Sequence, residues 1–379
     1  MDRKREVWIR TFYGTENYGS NLQAVGLSET IGKLGYGVCF LDAFDVDSFA
    51  LRHPGMMYAK IANKLLRKKN RDFFTPVPYE RTAAREERLR KFKEEHFVSR
   101  TLRSEEEWRK VIDRRTIFAA GSDIIWNPAR GYPSTSFLDF AYYAKLPRFS
   151  YASSIGAKEL PKQFYGAYRR YLGSMVEVGV REQRAADMLE PIIRRKVTKV
   201  LDPSLLMARG DWDQFAGRAE VSVPVSEGGF ILCYFVMNDP RYWEYVKKVR
   251  EATGLQVIVL PMHKLDEEQP YDVILDGTPC EFIRLVRDAE FICTDSFHAC
   301  AISLIYEKEF YLLRRERKAE DDKYSDFLGR YGLTGRTVAD ESAFARNPRT
   351  GWQAAAERLA EDRESSLAFL RETLRKCEG

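Results

Sequence analysis

The sequence predicts an α/β protein of two domains with parallel sheets, facing one another across a cleft. Three observations predict it. Short apolar runs alternate with amphipathic stretches along most of the chain, the pattern of strand–helix–strand units. Each apolar run ends in small or polar residues, and in an open parallel sheet such ends lie along one edge, where ligands bind. The chain has 379 residues, too many for one ordinary core, and AEVSVPVSEGG at 219–229 reads as a linker.

In chain order, Val7 to Phe12 is the first strand. TENYGSNLQA, residues 15–24, follows, and then Leu22, Val25, Leu27, Ile31 and Leu34 fall at helical spacing. A polar turn at such a junction exposes backbone N–H groups at a helix start, where an anion can sit. The amide side chains of this stretch suit sugar hydroxyls as its N–H groups suit an anion, and the sequence does not choose between the two. A plain connection between strand and helix is the alternative. Tyr36 to Leu41 is the second strand, after which residues 51–110 form a charged helical insertion. Within it, Lys60 to Arg71 carries six positive charges and no acid. Such helices are either solvated faces, or a lid or a surface that meets an anionic membrane.

Thr116 to Ala120 is a strand running into Gly121, Ser122 and Asp123. The glycine lets backbone approach a ligand, and the hydroxyl and carboxylate suit sugar hydroxyls. Trp126 either stacks on a sugar face or fills the core. Phe149 to Ala152 delivers Ser153 and Ser154 to the same edge, and Val176 to Val180 delivers Arg181. An arginine there forks onto a carboxylate or phosphate, or pairs with the neighbouring Glu182 or another acid at the domain interface. Val197 to Leu201 leads into Asp202-Pro203-Ser204.

Beyond the linker, Phe230 to Val236, Val257 to Leu260 and Glu290 to Cys293 restart the strand pattern. In CTDSFHACAISLIY, residues 293–306, Asp295 and Ser296 cap a helix whose first turn holds His298. An imidazole at a helix start in a cleft takes or delivers protons, or merely bonds to the cap. Trp352 to Lys376 sets Trp352, Leu359, Leu367, Leu370 and Leu374 near one face of a long terminal helix. The expected division is therefore 1–218, 219–351, and a helix at 352–379 packing back on the first domain.

Composition narrows the function. A net charge of +5 is a small difference between 61 basic and 56 acidic residues, which disfavours a nucleic-acid protein and suits anionic substrates. MDRKREVWIRTF has no apolar core of a signal peptide, and no apolar run reaches membrane-spanning length, so a cytoplasmic location is expected. The six cysteines never form CxxC and several sit in apolar runs, so they read as reduced core residues. Four dispersed histidines make a metal site unexpected. There is no GxGxxG after a strand, P-loop, GxSxG or HExxH.

The ordered segments NYGSNLQA, AAGSDIIWNP, YASSIGA, VGVREQRAADML, VLDPSLL and CTDSFHACAISLIYEKEFYLL resemble the polysaccharide pyruvyl transferase family, from Asn17 to about Leu313. The resemblance implies two Rossmann-like halves arranged as in GT-B glycosyltransferases. It implies transfer of pyruvate from phosphoenolpyruvate to two hydroxyls of one sugar, giving a cyclic ketal on a surface polysaccharide or its lipid-linked precursor, with no metal or organic cofactor. By that likeness His298 is the acid/base residue and Arg181 meets the donor's phosphate or carboxylate. Asn17, Gly19, Asn21, Gln23, Gly121, Ser122 and Asp123 match the family's first loop and its GSD turn. Two positions depart. Ser296 stands where many members carry arginine, and Ser325-Asp326 where many carry Ser-Arg, which leaves Arg314, Arg315, Arg317 or Lys318 as substitutes for donor contacts. Rival readings are a glycosyltransferase with a nucleotide-sugar donor and a non-catalytic glycan-binding relative.

Overall fold

The computed structural model describes residues 5–44, 83–102, 105–128, 134–222, 227–237, 239–274, 277–313, 321–338 and 351–379. The first sheet comprises β1 (Glu6–Arg10), β2 (Gly37–Phe44), β3 (Ser99–Leu102), β4 (Ile117–Ala120), β5 (Arg148–Ser153), β6 (Val178–Val180) and β7 (Thr198–Lys199). Its order is β3-β2-β1-β4-β5-β6-β7, and every pairing is parallel. The second sheet comprises β8 (Phe230–Tyr234), β9 (Gln256–Val259), β10 (Asp272–Val273), β11 (Phe291–Thr294), β12 (Glu309–Leu313) and β13 (Thr337–Val338). It is also all parallel, in the order β10-β9-β8-β11-β12-β13. Both orders are those of the Rossmann fold, which opens a crevice where the winding reverses. Those crevices lie at the ends of β1 and β4 in one half and of β8 and β11 in the other.

The alternation of side chains along each strand divides the core into layers. Val7, Ile9, Ile117 and Ala119 share one cluster with Phe230, Leu232, Tyr234, Ile292 and Leu312 of the second half. The intervening residues Trp8, Phe118 and Ala120 face an outer core of the first domain, and Ile231, Cys233, Cys293 and Tyr311 face an outer core of the second. With both faces covered, the strands read as apolar runs. All six cysteines are buried and free.

Six helices position the site: α1 (Tyr18–Lys33), α2 (Ala83–His96), α3 (Pro279–Asp288), α4 (Phe297–Tyr306), α5 (Asp321–Tyr331) and α6 (Trp352–Glu378). Helix α1 is wedged between the halves, and Tyr18 through Leu27 are buried without a break. Tyr18 packs on Tyr234 and Phe282 of the second domain and donates to the Gly277 carbonyl at 2.8 Å. Helix α6 lies across the first domain. The Ser366 hydroxyl accepts the Leu201 N–H, and Arg363 donates to the Leu205 carbonyl. Its start touches the second domain, where the Trp352 indole N–H donates to Glu309. Among the described residues no helix is long and apolar enough to cross a membrane.

The charged helix α2 is not simply a solvated face or a lid. Its buried Arg85 donates to the Pro261 carbonyl, Lys93 pairs with Asp42, and Arg88 pairs with Glu281 on α3, so it straps the two halves together. The basic stretch Lys60 to Arg71 lies outside the described residues.

Glu281 is fully buried at the junction of strap, linker and second domain. Its carboxylate accepts from Arg88 at 2.9 Å, from the Glu220 and Val221 N–H groups at 2.8 and 3.0 Å, and from the Thr278 N–H it caps at 2.8 Å. Burial pushes this carboxyl up, but the Thr278 hydroxyl and these N–H groups outweigh it and hold it below its ordinary value. The resulting stability is present above the unfolded-state value of about 4.3 and is lost as the pH falls through the folded one. Glu281→Gln is therefore expected to cost about 1.5–3 kcal/mol at pH 7. The gap in urea midpoint from the wild type should narrow below about pH 4, and a gap that stays constant would exclude this carboxylate as its source.

Candidate active site

The turn that opens α1 is shaped by its own amides. Asn17 is the N-cap, its side-chain oxygen accepting the Gly19 N–H at 2.9 Å. Asn21 accepts the Gly14 N–H and donates to the Thr15 carbonyl, both at 2.7 Å, and Gln23 donates to the Phe12 and Ser20 carbonyls at 2.7 Å. Asn21 and Gln23 have no exposed surface. The expectation that they meet sugar hydroxyls is corrected: α1 is enclosed between the first sheet and the helices α3 and α4 of the second half, so its polar groups must be satisfied from within. Gly19 has a different reason. A Cβ there would stand 2.1 Å from His298 Nδ1, so the glycine is what lets α1 close on that imidazole.

On the edge formed by β4 and β5, backbone strain sets the geometry. Asp123 and Ala152 have φ of +77° and +53°, a left-handed region that costs non-glycine residues about 1–3 kcal/mol. Asp123 bridges to Ser153, whose hydroxyl donates to the Gly121 carbonyl at 2.9 Å. Gly121 itself lies against Thr11, with room for no Cβ. Ser20 donates to the Asp123 carboxylate at 2.7 Å and Ser154 to Glu182 at 2.8 Å. Trp126 is fully buried in the outer core, its indole N–H donating to the Ser136 carbonyl. It fills the core, and the sugar-stacking expectation for it is corrected.

The centre of the arrangement is Asp202, whose side chain has no exposed surface. Its Oδ2 accepts from Arg181 Nη1 and from the Ser122 hydroxyl, each at 3.0 Å, and His298 Nε2 lies 3.6 Å away. Its Oδ1 accepts the Ser204 N–H at 3.0 Å and hydroxyl at 2.7 Å. Burial pushes the carboxyl up, but His298, Arg181 and the Ser204 N–H outweigh it, holding it well below the usual range and ionised. Arg181 also donates from Nε to Glu182 at 2.9 Å, and its guanidinium lies over the Phe297 ring at 5.1 Å. Burial alone would lower its pKa, but the carboxylates of Glu182, Asp202 and Asp123 raise it, so the charge is permanent. Its Nη2 bonds to none of the described residues.

His298 comes from the second half, as the second residue of α4, after the N-cap Ser296. Its Nε2 is buried and makes no hydrogen bond among the described residues. Behind it the Asp295 carboxylate accepts the Val236 and Met237 N–H groups at 2.6 and 2.8 Å, and burial pushes its pKa up to about 7. The two crevices thus meet where Gly19 touches His298. Asp202 was not singled out from the sequence. Its signal was a strand ending in Asp-Pro-Ser, which reads as an ordinary cap, and Asp202 does cap the turn Pro203–Leu205. Among the described residues no three His, Cys, Asp or Glu are disposed to hold a metal ion.

The family model for polysaccharide pyruvyl transferase matches residues 17–317, from the N-cap Asn17 past His298. The chain belongs to this family. No curated protein matches it. Among solved structures it is similar to a UDP-N-acetylglucosamine 2-epimerase from Rickettsia bellii, at 10% identity and TM-score 0.47 over 97% of this chain and 98% of that one. It is also similar to Neisseria meningitidis UDP-GlcNAc 2-epimerase bound to UDP-GlcNAc, at 12% and 0.45 over 98% and 94%. A third is Arabidopsis thaliana UGT89C1 complexed with UDP-L-rhamnose, at 11% and 0.45 over 98% and 93%. The two Rossmann-order halves themselves make the architecture of this family member GT-B-like.

Two glycines on α1 separate site from scaffold. Gly26 lies against backbone, a Cβ there standing 2.2 Å from the Pro203 carbonyl oxygen, whereas Gly19 lies against a side chain. Gly26→Ala is expected to lower stability by about 1–3 kcal/mol. Gly19→Ala should instead displace the imidazole, visible as a changed His298 ring resonance in NMR, with a smaller fall in thermal midpoint. The reverse ranking of midpoints would refute this assignment.

Proposed function

We propose that this family member transfers pyruvate from phosphoenolpyruvate to two hydroxyls of one sugar, in a surface polysaccharide or its lipid-linked precursor, on the cytoplasmic side. No metal or organic cofactor is needed for that chemistry. The observation that carries the reading is the junction of Arg181, Asp202 and His298 where the crevices of the two halves meet.

The reaction makes specific demands. A sugar hydroxyl adds to C2 of the enol and loses its proton, while C3 gains a proton and becomes a methyl group. The second hydroxyl then forms the other C2–O bond and gives up its proton, as the bond from C2 to the phosphate oxygen breaks and phosphate leaves with the bonding electrons. His298, with an unbonded Nε2, is the group that moves protons. Asp202 is its positioning residue, and Arg181 offers Nη2 to the donor's carboxylate or phosphate. Ser296 caps α4, so in this chain that position supports the imidazole. Arg314, Arg315, Arg317 and Lys318 lie outside the described residues.

The rival donor, a nucleotide sugar, would place its diphosphate in the first βα loop of the second half, by the logic of such folds. Here that loop, FVMNDP, has no glycine, and its N–H groups at Val236 and Met237 are taken by Asp295. That weighs against a diphosphate there.

Phosphoenolpyruvate is expected to raise the thermal midpoint, and UDP to leave it unchanged. Phosphate release should require both phosphoenolpyruvate and a glycoside with two free hydroxyls within reach of one carbon. His298→Asn should cut it by about 10²-fold or more while keeping the stabilisation by phosphoenolpyruvate. Stabilisation by UDP or a UDP-sugar alone would overturn the reading.

A further inference from the structure

A cavity of about 330 Å³ opens from the Arg181–Asp202 end of the site and runs between Phe297 and the helices α5 and α6. Its size falls at the lower end of small-molecule sites, about 300–1,000 Å³. Phe297, Phe327 and Tyr331 give it aromatic walls. The charged residues that line it are three cations, Arg181, Lys199 and Arg330, and four carboxylates, Glu182, Asp202, Asp326 and Asp362.

Every one of those cations is already paired. Lys199 holds Asp326 at 2.6 Å, Arg330 holds Asp362 at 2.6 Å, and Arg181 holds Glu182 and Asp202 at 2.9 and 3.0 Å. An anion filling this cavity would face a wall with an excess of negative charge. The valences left over have another character. Glu182 Oε2 and Asp326 Oδ1 accept no hydrogen bond from the described residues, and Arg181 Nη2 and the Ser365 hydroxyl donate none to them. Carboxylate acceptors and a few donors set beside aromatic faces match a polyol. Its hydroxyls donate to the carboxylates, and its C–H face lies on a ring.

We infer that this cavity is the subsite of the acceptor, and that it takes an uncharged hexopyranose unit. Calling that sugar the acceptor rests on the proposed pyruvyl transfer. The sugar's binding in the cavity does not. Arg181 is then the wall common to both substrates, with the donor reaching it from the His298 side. Glu182 and Asp326 set specificity through hydroxyls and against acidic sugars.

Saturation-transfer NMR tests this, with methyl β-D-galactopyranoside, methyl β-D-glucopyranoside and methyl β-D-glucuronide as probes, with and without phosphoenolpyruvate. The wild type is expected to bind at least one neutral glycoside and to reject the glucuronide. Ser365→Trp, at an exposed position on α6, should fill the mouth and weaken the neutral glycoside about tenfold or more. Asp326→Ala should weaken it as well and narrow the discrimination against the glucuronide. Both variants should keep the full rise in thermal midpoint with phosphoenolpyruvate. Neutral glycosides that bind equally well to Ser365→Trp, or none that bind the wild type, would overturn the inference. So would a glucuronide that binds as tightly as they do, or loss of the phosphoenolpyruvate response in Ser365→Trp, which would make this the donor's cavity. If the wild type shows no response to phosphoenolpyruvate while the glycosides behave as expected, pyruvyl transfer fails and the sugar subsite stands.

Discussion

The buried carboxylate of Asp202 constrains much of the molecule around it. A charge with no access to water must be matched by close partners, and removing one partner of such a pair costs about 3–5 kcal/mol. The partners are Ser122 after β4, Arg181 after β6, and Ser204 in the turn that Asp202 itself caps, with His298 of α4 at 3.6 Å. Four separate segments, one of them from the other domain, are therefore held to one point. The registers of the first sheet put Ser122, Arg181 and Asp202 on its C-terminal edge, and α4 brings the imidazole from across the crevice.

That convergence explains the odd composition of α1. A helix enclosed between the two halves ought to be apolar, yet this one begins Tyr-Gly-Ser-Asn-Leu-Gln. Two of its three glycines are contact points, Gly19 against the imidazole and Gly26 against the Pro203 backbone that follows Asp202. Its amides tie down the preceding turn, and Ser20 reaches across to Asp123. The helix serves less as a ligand surface than as the spacer that fixes His298 relative to Asp202.

The alternation of strands and helices, the two halves and the sheet edge that carries the site were legible in the sequence, because period-2 burial and polar strand ends are local patterns. The hub was not. Asp202 follows a strand and precedes a proline, as many caps do, and only the order of strands shows that it lies beside Arg181 and Ser122. Asn21 and Gln23 were misread, and Trp126 stayed open between sugar face and core, because polarity and aromaticity in a loop look alike whether the side chain faces a cleft or the interior. Helix α2 misled in the opposite way. Its surface charges dominate the sequence, while Arg85, Leu89 and Phe92, at spacings of four and three, form the buried stripe that straps the domains.

The electrostatics look at first unsuited to an anionic donor, since Arg181 is faced by the carboxylates of Glu182, Asp202 and Asp123. On the proposed chemistry the same balance has a use. As phosphate departs, C2 of the pyruvyl group becomes electron-poor, and nearby carboxylates stabilise that charge more than the ground state. A strongly cationic pocket would hold the donor more tightly and oppose this step. One arginine neutralised in part by its neighbours orients the anion without suppressing the charge that must develop beside it. The requirement for a fixed, ionised Asp202 thus joins the fold to the reaction. The carboxylate that draws the two halves together lies 3.6 Å from the imidazole assigned to move the protons.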